Sequence, residues 1–474
     1  MRFVTLFLIV FSTSGVFGQS RRVVPTSVPT SSETAVAISD LTVKQMFDEA
    51  NGYSKAKITE YIDKKIQYND ALLARTKLEQ RQLAAKYATI AGGRKTLAGQ
   101  DYYYLGMLHW IAENLDGTAE NLGKFLVSDV PASDRHQTAR SIVVVVLAKQ
   151  RKLDEAETTL ATYIKSEPTK LTERSRMESE LARAYKAQKD LVRMVPHAEE
   201  AYKAAKELLK DVTSRSRGLD EFFDAGMLVF EGYRDSGKPK MAEDLLDDVR
   251  STAATVQAPN LYYYAVDQKI KYLIETSRKP QAMEFYASSI VNAGKDFVKN
   301  TSPSDVLTRL KKREKHYKLL GLPAPELPLA DQWFPGERKK IVDLRGKVVL
   351  LDFWATWCAP CFDAFPSLTE WHQEFARDGF EILGITRYYG LVNRLPADNQ
   401  SESEYLKRFR QKENLPYDIV VGKDQSMQML YGATALPTAV LIDRKGVVRY
   451  IESGTSPARL EQMREMIVKL LAEK

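Results

Sequence analysis

The only two cysteines of this 474-residue chain, Cys358 and Cys361, stand three positions apart in the stretch DFWATWCAPC. Two thiols at this spacing can bind a metal, staple a loop, or exchange disulfides with another molecule. A zinc site requires a second pair of cysteine or histidine ligands, whereas the five histidines of the chain are scattered. A structural disulfide across so short a loop would stabilise the fold little. The sequence therefore predicts a redox-active disulfide, with no metal site and no other cofactor.

The residues around the pair predict how the thiols are positioned. The apolar run at 347–354 (KVVLLDFW) is typical of a buried strand, and residues 365–379 (FPSLTEWHQEFARDG) are typical of a helix. The strand would deliver Cys358 to the first turn of a helix, where free backbone N–H groups favour the thiolate. Cys361 would lie one turn further, close enough to resolve a mixed disulfide. Pro360 suits a first helical turn because it needs no N–H partner there.

Asp352, six residues before Cys358, is the third candidate catalytic residue. Side chains alternate along a strand, so Asp352 should share its face with Leu350 and Trp354 and be buried. Burial would raise the pKa of its carboxyl group, which suits general acid or base catalysis. The alternative interpretation is a carboxylate at a strand end that bonds to the backbone.

Together with the later stretch GATALPTAVLIDRKG, these residues resemble the thioredoxin superfamily, and most closely its exported TlpA/ResA-like thiol–disulfide oxidoreductases. The resemblance covers about residues 320–474. It implies that Asp352 assists proton transfer to or from Cys361, and that Ala359 and Pro360, between the cysteines, tune the redox potential.

The resemblance also assigns substrate-binding residues outside the cysteine motif. Pro437 matches the family's cis-proline, and the backbone of Leu436 would pair with an extended segment of the substrate. Trp357 would pack over the site. The sequence departs from the family pattern at Phe362 and Ala364, where relatives often have a basic and an acidic residue, so the surface around the site is expected to be more apolar.

The remaining elements of this region predict an α/β fold. A strand is expected at 380–388, a helix with a Ser cap at 401–414, a hairpin at 438–453, and a last helix from Ser456. The order βαβαββα predicts a parallel core with an antiparallel edge and helices on both faces. The long segment at 391–400 is expected to form a lid or docking loop.

Residues 41–317 are rich in Ala, Leu, Lys and Glu with a period near 3.6, which predicts consecutive α-helices. The stretches 116–131 and 151–168 align with each other, because each has an Ala twelve positions before a Pro. This pattern weakly resembles tetratricopeptide helix pairs, and a plain helical array remains the alternative. Tyrosine groups at 102–104 and 262–264 could line a peptide groove or pack between helices.

Composition shifts divide the chain into predicted segments: a signal peptide at 1–18, a flexible linker at 19–40, an α-helical repeat-like domain at 41–317, and a thioredoxin-like domain at 318–474. The fold class is accordingly multidomain, with an all-α tetratricopeptide-like array followed by an α/β thioredoxin-like fold. The N-terminal apolar run is too short to span a bilayer comfortably, and an uncleaved anchor is the alternative to a cleaved signal.

The expected function is that of an exported enzyme, periplasmic or extracellular, that exchanges disulfides with protein substrates and with an upstream redox partner protein. The helical domain is expected to recruit partners. The net charge of +7 is modest and dispersed, so neither nucleic-acid binding nor stable membrane insertion after signal cleavage is expected. One alternative is a non-enzymatic scaffold. Another is a thiol peroxidase, which would require a Pro and a Thr or Ser where Leu351 and Ala355 stand.

Overall fold

The computed structural model describes residues 40–67, 69–212, 215–297 and 303–473. The predicted signal peptide, and the predicted linker up to residue 39, lie outside the described residues. Contacts divide the chain into two compact units, of which one ends at Leu245 and the other begins at Leu246. Among the described helices, none has the length and the apolar composition needed to cross a bilayer.

The first unit is built from helices, as the sequence predicts. Their bounds are α1 (Val43–Asp63), α2 (Asp70–Gly92), α3 (Gly99–Ile111), α4 (Leu115–Leu126), α5 (Asp134–Lys149), α6 (Leu153–Ile164), α7 (Leu171–Ala187), α8 (Leu191–Leu208) and α9 (Arg215–Asp235). The division between the units falls within α10 (Pro239–Thr255). Consecutive helices pack against each other, and short polar side chains such as Asn69 and Asn114 cap helix N-termini.

The residues that suggested a repeat lie at helix contacts. Ala156 of α6 is fully buried, whereas its counterpart in α4, Ala119, is only half-buried. The paired helices α3 and α4 approach closely at Gly106, where an added Cβ would lie 2.7 Å from Leu122. Most of the clustered tyrosines, including Tyr103 and Tyr262, are buried, which favours packing between helices over an open groove.

The second unit contains three further helices and then a mixed α/β fold. Its helices are α11 (Pro259–Glu275), α12 (Lys279–Asp296), α13 (Pro303–Leu319), α14 (Ala359–Phe375), α15 (Asn399–Lys412), α16 (Ser426–Tyr431) and α17 (Pro457–Ala472). Its strands are β1 (Gln332–Phe334), β2 (Val348–Phe353), β3 (Phe380–Arg387), β4 (Leu391–Val392), β5 (Leu395–Pro396), β6 (Asp418–Gly422), β7 (Thr438–Ile442) and β8 (Val448–Ser453).

Six of these strands form one sheet in the order β1-β6-β3-β2-β7-β8. Strands β6, β3 and β2 are parallel, whereas β1, β7 and β8 run antiparallel to their neighbours. The predicted parallel core with an antiparallel edge is therefore confirmed, although β1 and β6 were not predicted. The expected Ser cap of α15 is wrong, because Asp398 lies before the helix in an extended conformation and its carboxylate accepts the N–H of Ser401.

One face of this sheet carries the core that surrounds the cysteine motif. Val348, Leu350 and Trp354 lie on this face and pack with apolar residues of α14 and α17. Asp352 belongs to the same alternating series, so its side chain enters the same core. The fold thus places a carboxylate among apolar side chains, as the sequence predicts.

The segment that links α13 to the sheet runs along β8. Gly321 donates its N–H to the carbonyl of Val448 at 2.8 Å, and Val448 donates to the carbonyl of Leu322 at 2.9 Å. Helices α11 to α13 belong to the same compact unit as the sheet. The domain limits at 317 and 318 stay a prediction about independent folding, and the compact unit around the sheet extends back to Leu246.

Candidate active site

The cysteine pair lies where β2 leads into α14. Cys358 is the N-cap residue of α14 and Pro360 is in its first turn, as expected from the lack of a proline N–H. Cys358 and Cys361 form a disulfide with an S–S distance of 2.02 Å. Both cysteines are buried, whereas Ala359 and Pro360 between them are exposed. A molecule that approaches the disulfide from solvent therefore meets Ala359 and Pro360 first.

Asp352 is 3% exposed and lies in β2 between Gly384 of β3 and Ala439 of β7. Burial raises the pKa of its carboxyl group from 3.8 to about 7. Ala364 and Leu368 of α14 line the same cavity as Asp352. Cys361 lies three and seven positions before these residues and belongs to the same buried core as both of them. A carboxyl group with a pKa near neutrality and the second cysteine thus lie on the same side of the sheet.

On the β3 side, the absence of a side chain at Gly384 lets two polar aromatic residues approach Asp352. A Cβ on Gly384 would lie 3.0 Å from Nε1 of Trp354 and 3.2 Å from the ring of Tyr417. Within the described part of the chain, neither Trp354 Nε1 nor the Tyr417 hydroxyl has a hydrogen-bond partner. Burial, and then the nearby Asp352, raise the pKa of Tyr417, so its hydroxyl stays protonated as a possible donor.

On the β7 side, Asp352 faces a small cavity. The cavity has a volume of about 20 Å³, enough for one water molecule. Its polar lining includes Glu452 of β8, Thr455 and Arg459. The Thr455 hydroxyl is buried and has no partner among the described residues. This cavity offers a route by which a proton on Asp352 can exchange with a water molecule.

Pro437 also lines this cavity, and the peptide bond between Leu436 and Pro437 is cis, the geometry that the resemblance implies. The turn is fixed by its neighbours: Thr438 Oγ1 donates to the carbonyl of Ala435 at 2.6 Å, and Gly454 N donates to the carbonyl of Pro437 at 2.7 Å. Leu436 is half-buried and packs against the core that contains both cysteines. Leu436 therefore contacts the core that contains the cysteine pair, and Pro437 shares a cavity with Asp352.

Trp357, which precedes Cys358, is 52% exposed. Its ring meets the ring of Tyr389 edge-on, with 5.3 Å between centroids. Tyr389 is held by the guanidinium of Arg387 over its ring at 4.0 Å and by Gln428 Nε2, which donates to its hydroxyl at 2.9 Å. An exposed indole, packed against a half-buried tyrosine ring, thus stands directly before Cys358.

The segment after β3, expected to be a lid or docking loop, is tied to α15. The Glu402 carboxylate, on a residue that is 1% exposed, accepts the N–H groups of Tyr389 at 2.9 Å and Gly390 at 2.8 Å. The two-residue strands β4 and β5 then form a hairpin whose turn residues, Asn393 and Arg394, have positive φ. The base of this loop is therefore fixed by a buried carboxylate.

The part of the chain that contains the cysteine pair is similar to known proteins. The AhpC/TSA family model matches residues 320–451. Over 142 residues the chain is 32% identical to the thiol-disulfide oxidoreductase ResA of Geobacillus thermodenitrificans, covering 30% of this chain and 74% of that relative. The chain belongs to the ResA-like thiol–disulfide oxidoreductases. The ResA protein of Bacillus subtilis is 31% identical over 136 residues, covering 28% of this chain and 68% of that relative.

Among solved structures, a putative thiol:disulfide interchange protein DsbE from Chlorobium tepidum is 28% identical, with a TM-score of 0.25. The match covers 32% of this chain and 96% of the Chlorobium tepidum chain. As the ResA relatives indicate, the chain is a thioredoxin-like oxidoreductase, and the predicted resemblance and enzyme class are confirmed.

Three residues at or near the site were not predicted from the sequence. Tyr417, Glu402 and Glu452 reach it from elements distant in sequence, and no local motif marks them. At the two departures from the family pattern, Phe362 packs with Phe365 and Ala364 is buried against the cavity.

Proposed function

We propose that this protein exchanges disulfides with protein substrates through Cys358 and Cys361, with Asp352 as the proton donor and acceptor for Cys361. The observation that carries the proposal is a buried carboxyl with a pKa of about 7 on the side of the sheet whose core contains both cysteines. The disulfide itself is the redox group, and neither a metal nor an organic cofactor takes part.

In the reducing direction, the Cys358 thiolate attacks one sulfur of a substrate disulfide. A Cys358–substrate disulfide forms, and the second substrate sulfur leaves as a thiolate that takes a proton from solvent. Cys361 then gives its proton to Asp352 and attacks the Cys358 sulfur. The Cys358–Cys361 disulfide forms, the first substrate sulfur leaves, and two electrons have passed to the substrate. In the oxidising direction every step reverses, and protonated Asp352 returns its proton to the Cys361 thiolate.

Substrate binding is proposed to use the cis turn beside the disulfide. The backbone of Leu436, before Pro437, would pair with an extended substrate segment, while exposed Ala359, Pro360 and Trp357 would contact its side chains. The exposed indole and the adjoining Tyr389 ring favour apolar residues next to the substrate cysteine. The exposed Ala359 and Pro360 would also tune the reduction potential.

We also propose export, in the periplasm or outside the cell, and partner recruitment by a tetratricopeptide-like helical domain. The apolar N-terminal run in the sequence supports export. The series of packed helices supports recruitment, because stacked helix pairs present extended surfaces to other proteins. An upstream redox protein would restore the thiol or disulfide state after each cycle.

A thiol peroxidase is the second candidate, since the AhpC/TSA model matches residues 320–451. Leu351 and Ala355 stand where such an enzyme would need a Pro and a Thr or Ser, so peroxide binding has less support. Hydrogen peroxide consumption by the reduced protein, at a rate above that of its disulfide exchange, would favour the peroxidase.

The proposed roles are tested by trapping. Cys361→Ser leaves the Cys358 thiolate to attack a substrate disulfide and removes the group that resolves the product, so mixed disulfides should accumulate. Cys358→Ser should trap none. Both variants are examined by non-reducing electrophoresis of the full chain with insulin as the substrate. Equal trapping by the two variants would contradict the assignment of nucleophile and resolver.

A further inference from the structure

Four charged side chains, of which Asp267 and Arg313 are buried, meet where α11 and α13 lie against β8. Arg313 of α13, 9% exposed, donates to Asp267 of α11 at 3.2 Å and to Glu452 of β8 at 3.1 Å. Lys271 of α11 bonds the same two carboxylates and lies 2.7 Å from Asp267. Two acids and two bases thus form a closed, neutral cluster.

Further hydrogen bonds fix the geometry of this cluster. Arg313 also donates to the backbone carbonyl of Ile451, and the Tyr317 hydroxyl donates to Asp267 at 2.6 Å. The side chain of Glu452 is 15% exposed. Burial acts to raise the pKa of Glu452, but Lys271 and Arg313 outweigh it and lower the pKa, so the carboxylate stays charged.

Glu452 has a second neighbour, the cavity that contains Asp352. In the sheet, Asp352 pairs with Ala439, and Ala439 pairs with Glu452. Residues directly opposite each other project from the same face, so the two acidic side chains flank the small side chain of Ala439. Strands are spaced about 4.8 Å apart, which separates the two acidic backbones by about 10 Å. All three residues line the cavity.

Few other ionisable groups face Asp352. Tyr417, before β6, lies on its β3 side, and Tyr450 and Arg459 share the cavity with it. Cys361 of α14 belongs to the core on the same face of the sheet. Burial keeps the pKa of both tyrosines raised, so neither is charged near neutral pH. Among the described residues, the charged groups that share the cavity with Asp352 are therefore Glu452, with the two cations that bind it, and Arg459.

We propose that Glu452 is a positioning residue for proton transfer by Asp352, and that Lys271 and Arg313 act on the disulfide chemistry by holding and neutralising its charge. Helices α11 and α13, which precede the thioredoxin-like fold, would then help to set the pH at which Asp352 exchanges its proton. This inference rests on the proposed role of Asp352.

Removing a negative or a positive charge from this cluster should shift the pH dependence of disulfide exchange in opposite directions. Glu452→Gln leaves the cluster with an excess positive charge and should lower the pH at which the exchange rate changes. Lys271→Met or Arg313→Met leaves an excess negative charge and should raise that pH. For charges about 10 Å apart in a partly buried site, each change should amount to about half a pH unit to one pH unit.

The experiment measures insulin reduction by the full chain between pH 5 and pH 9. Arg313→Lys keeps the charge and should keep the wild-type profile, which guards against loss of folding in Arg313→Met. Glu275→Gln is the matched control. Glu275 lies on α11, like Lys271, and the substitution breaks its exposed ion pair with Lys469 of α17. Opposite shifts for Glu452→Gln and Lys271→Met would support the proposal.

Asp352→Asn separates this inference from the proposed function. If Asp352→Asn abolishes the pH step while Glu452→Gln and Lys271→Met leave the step in place or move it in the same direction, the role of Glu452 is wrong and that of Asp352 stands. If the step persists in Asp352→Asn, the proposed proton transfer fails, and the inference about Glu452 fails with it.

Discussion

In the folded state the pKa of the Asp352 carboxyl group, about 7, lies above its ordinary value of 3.8. The folded state therefore binds more protons than the unfolded state between these pH values. The free energy of unfolding should therefore fall as the pH rises from about 4 to about 7, and stay low above that. A pKa difference of about three pH units corresponds to about 4 kcal/mol as an upper limit.

Asp352→Asn should accordingly stabilise the protein at pH 8 by about 2–4 kcal/mol, with the gain vanishing toward pH 4. Chemical denaturation followed at both pH values measures the difference. Asp363→Asn is the control, because Asp363 is an exposed carboxylate two residues after Cys361. A gain of the same size at pH 4 and pH 8 would show that the carboxylate charge is not its cause.

The same substitution should slow disulfide exchange, because Cys361 loses its proton acceptor. General acid or base groups contribute roughly 10²–10⁴-fold to such steps, so the rate near pH 7 should fall by about 100-fold or more. Stopped-flow measurement of the resolving step, starting from a Cys358 mixed disulfide, isolates the affected reaction. An unchanged rate across the pH range would reduce Asp352 to a structural residue.

At the residue scale, the sequence predicted those site residues that lie close together along the chain. Cys358, Cys361 and Asp352 fall within ten consecutive residues, so strand alternation and helix geometry were enough to bring them together. Glu452 and Tyr417 could not be predicted, because their relation to Asp352 depends on strand order and on the close approach that Gly384 allows.

Among the elements, the loop after β3 depends on one buried carboxylate of α15. Glu402→Ala would leave the N–H groups of Tyr389 and Gly390 without their acceptor, and each lost hydrogen bond to a carboxylate should cost about 1–3 kcal/mol at most, because water can reach these partly exposed groups. Hydrogen exchange at these two amides should accelerate, and the Michaelis constant for insulin should rise if the loop docks substrate. Mass spectrometry of exchanged fragments measures the first effect.

Glu404→Ala provides the comparison, since Glu404 lies on the same helix but is exposed. Protection of Tyr389 and Gly390 that stays the same in both variants would show that the loop is held by other contacts.

Elements with strong periodicity were predicted and short ones were not. The hairpin and the last helix were confirmed, since alternation and capping by Ser456 mark them locally. Strands β1 and β6 have only three and five residues, so their apolar pattern is too brief to distinguish from a loop. Pairing with β3 and with each other, rather than their own sequence, makes them strands.

For the whole molecule, the charge cluster bears on where the catalytic module starts. A fragment of residues 318–474 would lack Lys271 and Arg313, so Glu452 would lose both cations that bind it. Hydrogen bonds to charged groups contribute about 1.5–3 kcal/mol, so the fragment 246–474 should be more stable by at least about that amount. Denaturation of both fragments measures the difference, and Glu452→Gln should reduce it. Equal stability would show that α11 and α13 are dispensable.

The helical region should matter for natural partners and not for a generic disulfide. With Cys361→Ser in both backgrounds, the full chain should capture more partner proteins than the fragment 246–474, whereas insulin reduction by their cysteine-intact forms should be similar. Quantitative mass spectrometry of trapped complexes gives the comparison. Identical sets and yields of captured proteins would contradict recruitment by the helices.

The backbone hydrogen bonds between residues 321–324 and the hairpin around β8 also limit self-association. An outermost strand with free N–H and carbonyl groups can add strands from other molecules, which leads to polymers and fibrils. Here Gly321, Leu322 and Ala324 already bond to the hairpin side of the sheet. At the opposite edge of the sheet, β1 is only three residues long and is followed by Pro335, which has no N–H to donate. Both edges of the sheet are thus poor sites for the addition of a strand from another molecule.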